Sequence, residues 1–514
     1  MTCKIRKAIF VLSAAAIVFA AGCENSEKKV PTAPATQTEE TKTPTPDAAK
    51  TTEAPTSTPT PTVTNTPTPV PTATFTPSPT PTATNSPTPT PTKKPTALVN
   101  GKPVFPCSAY VDCYSLTLRS TADVREKLLK IYNGTEVTIT GNSASSFYYE
   151  CTYQGNNYTI NKSYITFDEP FGFDYNSFEI VDPRDVVYSY SDMEKDIFEL
   201  AEKYPETFSY YSAGKSPDKR EMYVCTIGNP DAPKCIYITG TAHAREFCTS
   251  LLLMMQSEYY LKTIEEGYFK DVNYKDLFNE ICFVLLPMQN PDGVDLCISG
   301  PSAIRNLVLR SKIQSMYDRE DAEFYKKYGK HNSNFYKRWK SNAQGIDINR
   351  NYSFGWEETN DYPVPASSGY KGEEPFCATE VKIQIEVLNK LMEEKDLVFA
   401  ISYHATGNDL SWEVEGMKGD FLKECKAAVE ALVYVTDYEP NMNDMNLDKE
   451  VPLAGYTDWL NGEEIVPSIT IEILPMSLYL AAEKPTEEEM QDAWVANRQV
   501  WAVLGELYYE GERR

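Results

Sequence analysis

The stretch from about Asp182 to Arg514 predicts an α/β fold, a sheet covered by helices on both faces. Cys235 to Thr239, Ile281 to Leu286, Leu397 to Tyr403 and Ser468 to Ile471 are short, continuous apolar runs. They have strand length and lack the alternation of a sheet with one face in water, so both of their faces need cover. Helical patterns alternate with them, as in Ser189 to Tyr204, where Met193, Ile197, Leu200 and Ala201 share one face. Three of the runs lead into His243, His404 and Glu472. That repetition places reactive groups beyond strand ends, where the sites of open α/β sheets gather.

Residues 1–22 read as a secretory signal, with Lys4, Arg6 and Lys7 before an apolar core from Ala8 to Ala21. The core is shorter than the roughly 20 residues of a membrane span, which favours processing over an uncleaved anchor. Small residues lead up to Cys23, as in the processing box of bacterial lipoproteins, so Cys23 is the expected acylated residue. More than one acyl chain there would hold the protein outside the cytoplasmic membrane. Residues 23–97 form a linker of Pro-Thr repeats with almost nothing apolar to bury. At about 3.1 Å per residue, Pro31 to Pro95 reaches at most roughly 200 Å, enough to cross a cell wall. A passive, glycosylated spacer is the alternative reading.

Residues 98–167 predict a small all-β unit. Alternation marks Ser115 to Leu118, Glu136 to Ile139 and Phe147 to Tyr153, and Asn133-Gly134 and Gln154-Gly155-Asn156 supply turns. The order of these segments, ending in Asn157 to Ile165, resembles bacterial Src-homology-3-like barrels. That resemblance implies a wall-peptide partner; a structural spacer is the alternative.

The chemistry centres on Ile236 to Glu246. Histidine and glutamate three residues apart, His243 and Glu246, can reach one metal ion, and His404 is one of only two other histidines in the chain. Two histidines and one glutamate leave a fourth position open for water, as catalytic zinc requires. The chain is identified as a member of the zinc metallocarboxypeptidase family by motifs that run in order over Asp182 to Arg514. They are Tyr204-Pro205, Gly214-Lys-Ser216, His243-Ala-Arg-Glu246, Gln289-Asn-Pro-Asp-Gly293, Gly345-Ile-Asp-Ile-Asn-Arg-Asn351, Tyr370-Lys-Gly372, Pro375-Phe376, His404 and Ile469-Thr-Ile-Glu472.

The resemblance implies a mixed sheet between helices and one Zn2+ per chain, held by His243, Glu246 and His404, with Glu472 as general base. It implies that Asn349 and Arg350 grip a substrate's terminal carboxylate and that Arg245 supports the substrate. A planar guanidinium fork suits a carboxylate, which favours action on a free C-terminus over action within a chain. The position of the family's oxyanion arginine carries Lys340 in Arg338-Trp-Lys-Ser341, which keeps the charge without the fork; Arg338 is the alternative. For the family's mobile tyrosine, Leu447 to Tyr456 offers only Tyr456. Thr457 falls where specificity is set, and its small hydroxyl argues against a pocket for basic or large aromatic side chains.

A formal net charge of −24 argues against nucleic-acid partners. The twelve cysteines show no metal-like spacing; Cys107 with Cys113 is one candidate disulfide, and Cys248 suits helix packing. Three functions fit: a carboxypeptidase trimming the stem peptides of peptidoglycan, a scavenger of ordinary peptides, and a non-catalytic wall-binding protein. The intact ligand set and Glu472 count against the third.

Overall fold

The computed structural model describes residues 98–99, 102–111, 115–132, 134–167, 178–269, 272–359, 362–442, 454–481 and 484–511. The signal segment, Cys23, the whole of the Pro/Thr linker, Cys113, Asn133 and Leu447 lie outside them. Among the described residues, no helix is long and apolar enough to cross a membrane.

The N-terminal strands are Cys107–Val111 (β1), Ser115–Arg119 (β2), Lys127–Tyr132 (β3), Glu136–Asn142 (β4), Tyr148–Tyr153 (β5), Asn156–Asn161 (β6) and Ile165–Thr166 (β7). They pair antiparallel in the order β3-β2-β6-β5-β4-β1-β7. Alternation does what was expected of it: Val137 and Ile139 of β4 turn inward, while Glu136, Thr138 and Thr140 face water. The turn between β5 and β6 has Gln154 at φ 47° and Gly155 at φ 78°, the mirror-image geometry that a two-residue hairpin prefers. Phe147, expected at the head of β5, lies outside the strand and is 71% exposed.

The larger layer system begins with Tyr190–Lys203 (α1), capped by Ser189 and Asp192 in a reciprocal box. Its strands are Phe208–Lys215 (β8), Glu221–Ile227 (β9), Lys234–Gly240 (β10), Ile281–Leu286 (β11), Asp396–Ala405 (β12), Asp409–Glu413 (β13), Glu439–Met442 (β14) and Ser468–Ile473 (β15). The order is β8-β9-β11-β10-β12-β15-β13-β14, and β11, β10, β12 and β15 run parallel at the centre. The four predicted runs are these four central strands. Of the remaining strands, β9 carries a continuous buried apolar run, Met222 to Cys225, that was missed, and the others lack an apolar run of that length.

Strand alternation sends side chains into two cores. Ile236, Ile238, Phe283 and Leu285 enter one, with α1, Cys248–Thr263 (α2), Gly419–Thr436 (α6), Glu487–Asn497 (α8) and Val500–Tyr508 (α9). Cys235, Tyr237, Val284 and Leu286 enter the other, with Thr379–Glu394 (α5) and Tyr456–Gly462 (α7). Pro291–Ser299 (α3) and Leu307–Tyr328 (α4) add Val294, Leu296, Ile313 and Met316 to the first core. Leu285 is fully buried, and truncating such a side chain to alanine costs roughly 2–5 kcal/mol.

The small sheet packs on this body. Tyr434 of α6 contacts both cores. Gly134, at φ 75°, lies so close to Arg498 that a Cβ would come within 2.6 Å of its guanidinium.

Candidate active site

The parallel strands end in one place. Past the end of β10 the chain turns through His243 into a short helical turn, Ala244–Glu246, which runs on into the buried α2. His404 and Glu472 lie inside the last residues of β12 and β15 rather than beyond them, so the sheet's own hydrogen bonds position them.

His243, Glu246 and His404 are all buried, and their donor atoms face one another. His243 Nδ1 lies 3.0 Å from Glu246 Oε1, His404 Nδ1 lies 3.0 Å from Glu246 Oε2, and the two Nδ1 atoms are 3.2 Å apart. Two imidazole nitrogens aimed at each other make a poor hydrogen bond, since at least one presents a lone pair. Ligand arms of about 2.0–2.2 Å in a tetrahedron give donor separations somewhat above 3 Å, so this triangle fits zinc. His243, Glu246 and His404 form the zinc site.

The surrounding groups hold that triangle. His243 turns its Nε2 to Asp347 Oδ1 at 3.2 Å, which leaves Nδ1 for the metal, while Asp347 Oδ2 accepts the Gly369 N–H at 3.0 Å. Burial favours the neutral form of Asp347, but the charges of His243, Arg350 and Lys340 outweigh it and hold the carboxyl below its usual range. Glu246 is likewise held low by the two histidines against its burial. Burial pushes His404 down, toward the neutral imidazole that a metal needs. Sequence reasoning missed Asp347, although it stands two residues before Asn349 in a motif already singled out.

Asn290 was also missed as a positioning residue. Its Nδ2 donates to the carbonyls of Ala242, Lys340 and Ser341 at 3.1, 3.3 and 3.1 Å, tying the ligand turn to the Lys340 loop. Ala244 N–H donates to the Lys340 carbonyl at 3.0 Å, so the two segments meet along their backbones.

A cavity of about 360 Å³ opens beside the zinc site and gathers most of the predicted residues: Arg245, Glu246, Lys340, Asn349, Arg350, Thr457 and Glu472. Of the two oxyanion candidates, Lys340 lines this cavity and Arg338 lines a neighbouring one. Asn349 Oδ1 accepts the Tyr456 N–H at 2.9 Å, which leaves the amide's N–H groups for a ligand. Thr457 is buried, its hydroxyl 2.8 Å from that of Thr470. The carboxylates of Asp409 and Asp458 line the same cavity, polar features that Thr457 alone did not announce.

Tyr456 does not occupy the mobile position considered for it. It is 2% exposed, packed among Tyr352 and Trp459 in the core, because α7 turns this side chain inward. Cys248 is buried at the start of α2, as packing predicts, and burial pushes its thiol up. Cys107 carries a free thiol.

The family comparison agrees with this geometry. Residues 193–497 match the family described as zinc carboxypeptidase. The γ-D-glutamyl-L-diamino acid endopeptidase 1 of Lysinibacillus sphaericus is 27% identical over 289 residues, covering 56% of this chain and 65% of that one. Metallocarboxypeptidase A of Trichophyton rubrum is 23% identical, over 43% of this chain and 46% of that one. The structure of thrombin activatable fibrinolysis inhibitor aligns at 15% identity over 69% of this chain and 89% of its own, with a TM-score of 0.49. The matched span covers more than half of the chain and contains all three converging donors: the chain belongs to the zinc carboxypeptidase family and is a metallopeptidase.

Proposed function

We propose that this protein is a lipid-anchored, extracytoplasmic carboxypeptidase that removes C-terminal residues from peptides, with the stem peptides of peptidoglycan as its substrates. The observation that carries the activity is one cavity shared by Arg350, Asn349, Glu472 and the zinc ligand Glu246. A free carboxylate bound by the arginine fork and the Asn349 amide sets the last peptide bond beside the metal.

Bound zinc supplies the Lewis acid that polarises the scissile carbonyl and acidifies a water. Glu472 takes the water's proton and delivers it to the leaving amine. Lys340 faces the oxygen on which charge develops, where a fixed cation is worth most. Arg245 supports the substrate, and Thr457 forms part of the wall around the departing residue.

Two features favour wall peptides. The relative from Lysinibacillus sphaericus is named for a bond between γ-D-glutamate and a diamino acid. Asp409 and Asp458 line the cavity that would receive the leaving residue, where a second amine finds opposite charge. The N-terminal sheet, read as Src-homology-3-like, would hold the enzyme on the wall. Cys23 and the Pro/Thr linker would tether it to the membrane.

Incubating the purified protein with muropeptides and with plain peptides of matched length, and identifying the products by mass, tests this reading. Release of the terminal residue from muropeptides at higher catalytic efficiency supports it. Preference for plain peptides would make the protein a scavenger, and no hydrolysis of either would remove the enzymatic reading.

A further inference from the structure

We propose that Glu380, which lines neither cavity at the zinc site, is a positioning residue that holds Lys340 in place through Asn342. The proposal rests on the carboxypeptidase reading, in which Lys340 faces the developing oxyanion, and adds a distant support to it. Asn342 stands two residues after Lys340 and opens a closed turn. Its N–H donates to the Ile346 carbonyl at 2.8 Å, and its carbonyl accepts the Gly345 N–H at 3.0 Å. Its side-chain Oδ1 accepts the N–H groups of Gln344 and Ile346, each at 3.0 Å. Those bonds occupy the amide's oxygen and leave its Nδ2 to donate to Glu380 Oε2 at 2.8 Å.

Both partners are fully buried, so bulk water replaces neither side of a broken bond. Glu380 sits in the first turn of α5, and the start of that helix also holds the far end of the same segment: the Ala378 N–H donates to Asn351 Oδ1 at 2.9 Å. Asn342 and Asn351 thus bracket Asp347, Asn349 and Arg350. The two ends are anchored separately. Asn351 Nδ2 donates to the carbonyls of Lys371 and Glu374 at 2.6 and 3.1 Å, so the Arg350 end keeps its anchors without Glu380. At the other end, the Lys340 N–H donates to the Ser367 carbonyl at 2.9 Å and the Lys340 carbonyl accepts the Ala244 N–H, while Glu380 fixes the turn into which the chain then runs.

A carboxyl is an unfavourable way to fill this space. Burial and then the charge of Asp292 push it up to about 8. Leucine would fill a similar volume without that desolvation penalty. What the carboxyl adds is the bond to Asn342, which Oε2 accepts whether the acid is neutral or ionised.

The test uses the full zinc-loaded protein, a peptide with a free C-terminus, and Glu380→Leu beside Glu380→Gln, which keeps an acceptor oxygen. Glu380→Leu should lower kcat about tenfold with KM and zinc stoichiometry unchanged, because a displaced cation weakens the transition state while the Arg350 clamp stays in place. Glu380→Gln should lie within about twofold of the unmodified enzyme. In a Lys340→Gln background, Glu380→Leu should change kcat by less than about twofold, since the group it positions is gone. Asn342→Ser keeps an oxygen for the turn but is too short to reach Glu380. It should lower kcat as Glu380→Leu does, and it carries the test if Glu380→Leu does not fold. Unchanged kcat in Glu380→Leu or in Asn342→Ser overturns the positioning role and leaves the carboxypeptidase reading intact. A loss in Glu380→Gln equal to that in Glu380→Leu, or an undiminished loss in the Lys340→Gln background, also overturns it, because the glutamate then acts on the fold at large. No hydrolysis by the unmodified protein overturns both.

Discussion

His404 and Glu472 stand directly opposite each other on neighbouring parallel strands, so the pairing that builds the sheet also sets a zinc ligand beside the proposed base. The glutamate is therefore held by backbone bonds rather than by a loop. Glu472→Gln preserves shape and cannot accept a proton. It should retain one zinc per chain by metal analysis and lose about two to four orders of magnitude in kcat. Near-normal turnover would assign the base elsewhere.

Zinc retention separates ligands from their supports. His404→Ala removes one of three protein donors and should abolish stoichiometric zinc. Asp347→Asn keeps the ligands but weakens the carboxylate that orients His243, so its zinc affinity should fall about 10- to 100-fold in a chelator competition. Full zinc in His404→Ala would contradict the site itself.

The carboxylate clamp proposed for Arg350 predicts non-additivity. Amidating the substrate's C-terminus removes a charged hydrogen-bond partner worth about 1.5–3 kcal/mol, roughly ten- to a hundredfold in kcat/KM. Arg350→Ala should cost about as much on the free acid and little more on the amide. Equal cleavage of acid and amide by the unmodified enzyme would favour an endopeptidase.

A stability prediction concerns Glu380, at the start of α5. It is fully buried, and burial followed by the charge of Asp292 raises its pKa from 4.5 to about 8, although Oε2 accepts a 2.8 Å bond from Asn342. Between about pH 4.5 and 8 the folded protein keeps a proton that the unfolded chain has released. Stability from this group is therefore present at low pH and lost as pH rises through that window, by at most about 1.4 kcal/mol per unit. Glu380→Gln should lower the pH dependence of the urea midpoint between pH 5 and 8. An unchanged slope would show that Glu380 does not titrate there.

The sequence by itself determined the four central strands, the three zinc ligands and the place of Glu472 at the end of a central strand. A strand buried on both faces must be apolar throughout, and reactive residues at the ends of such runs stand out against them. It also marked Asn349, Arg350 and Lys340, which motif order places near one another. Tertiary structure alone decided what distance in the chain conceals. Asp347 lies 104 residues from the histidine it orients, and Asn290 joins two segments that lie 48 and 51 residues from it on either side. Folding sends Lys340 and Arg338 to different cavities, and it withdrew Tyr456 into the core. The edge strand β8 was hidden for a different reason: only Phe208 of its residues is buried, so neither an apolar run nor a regular alternation marks it in the sequence.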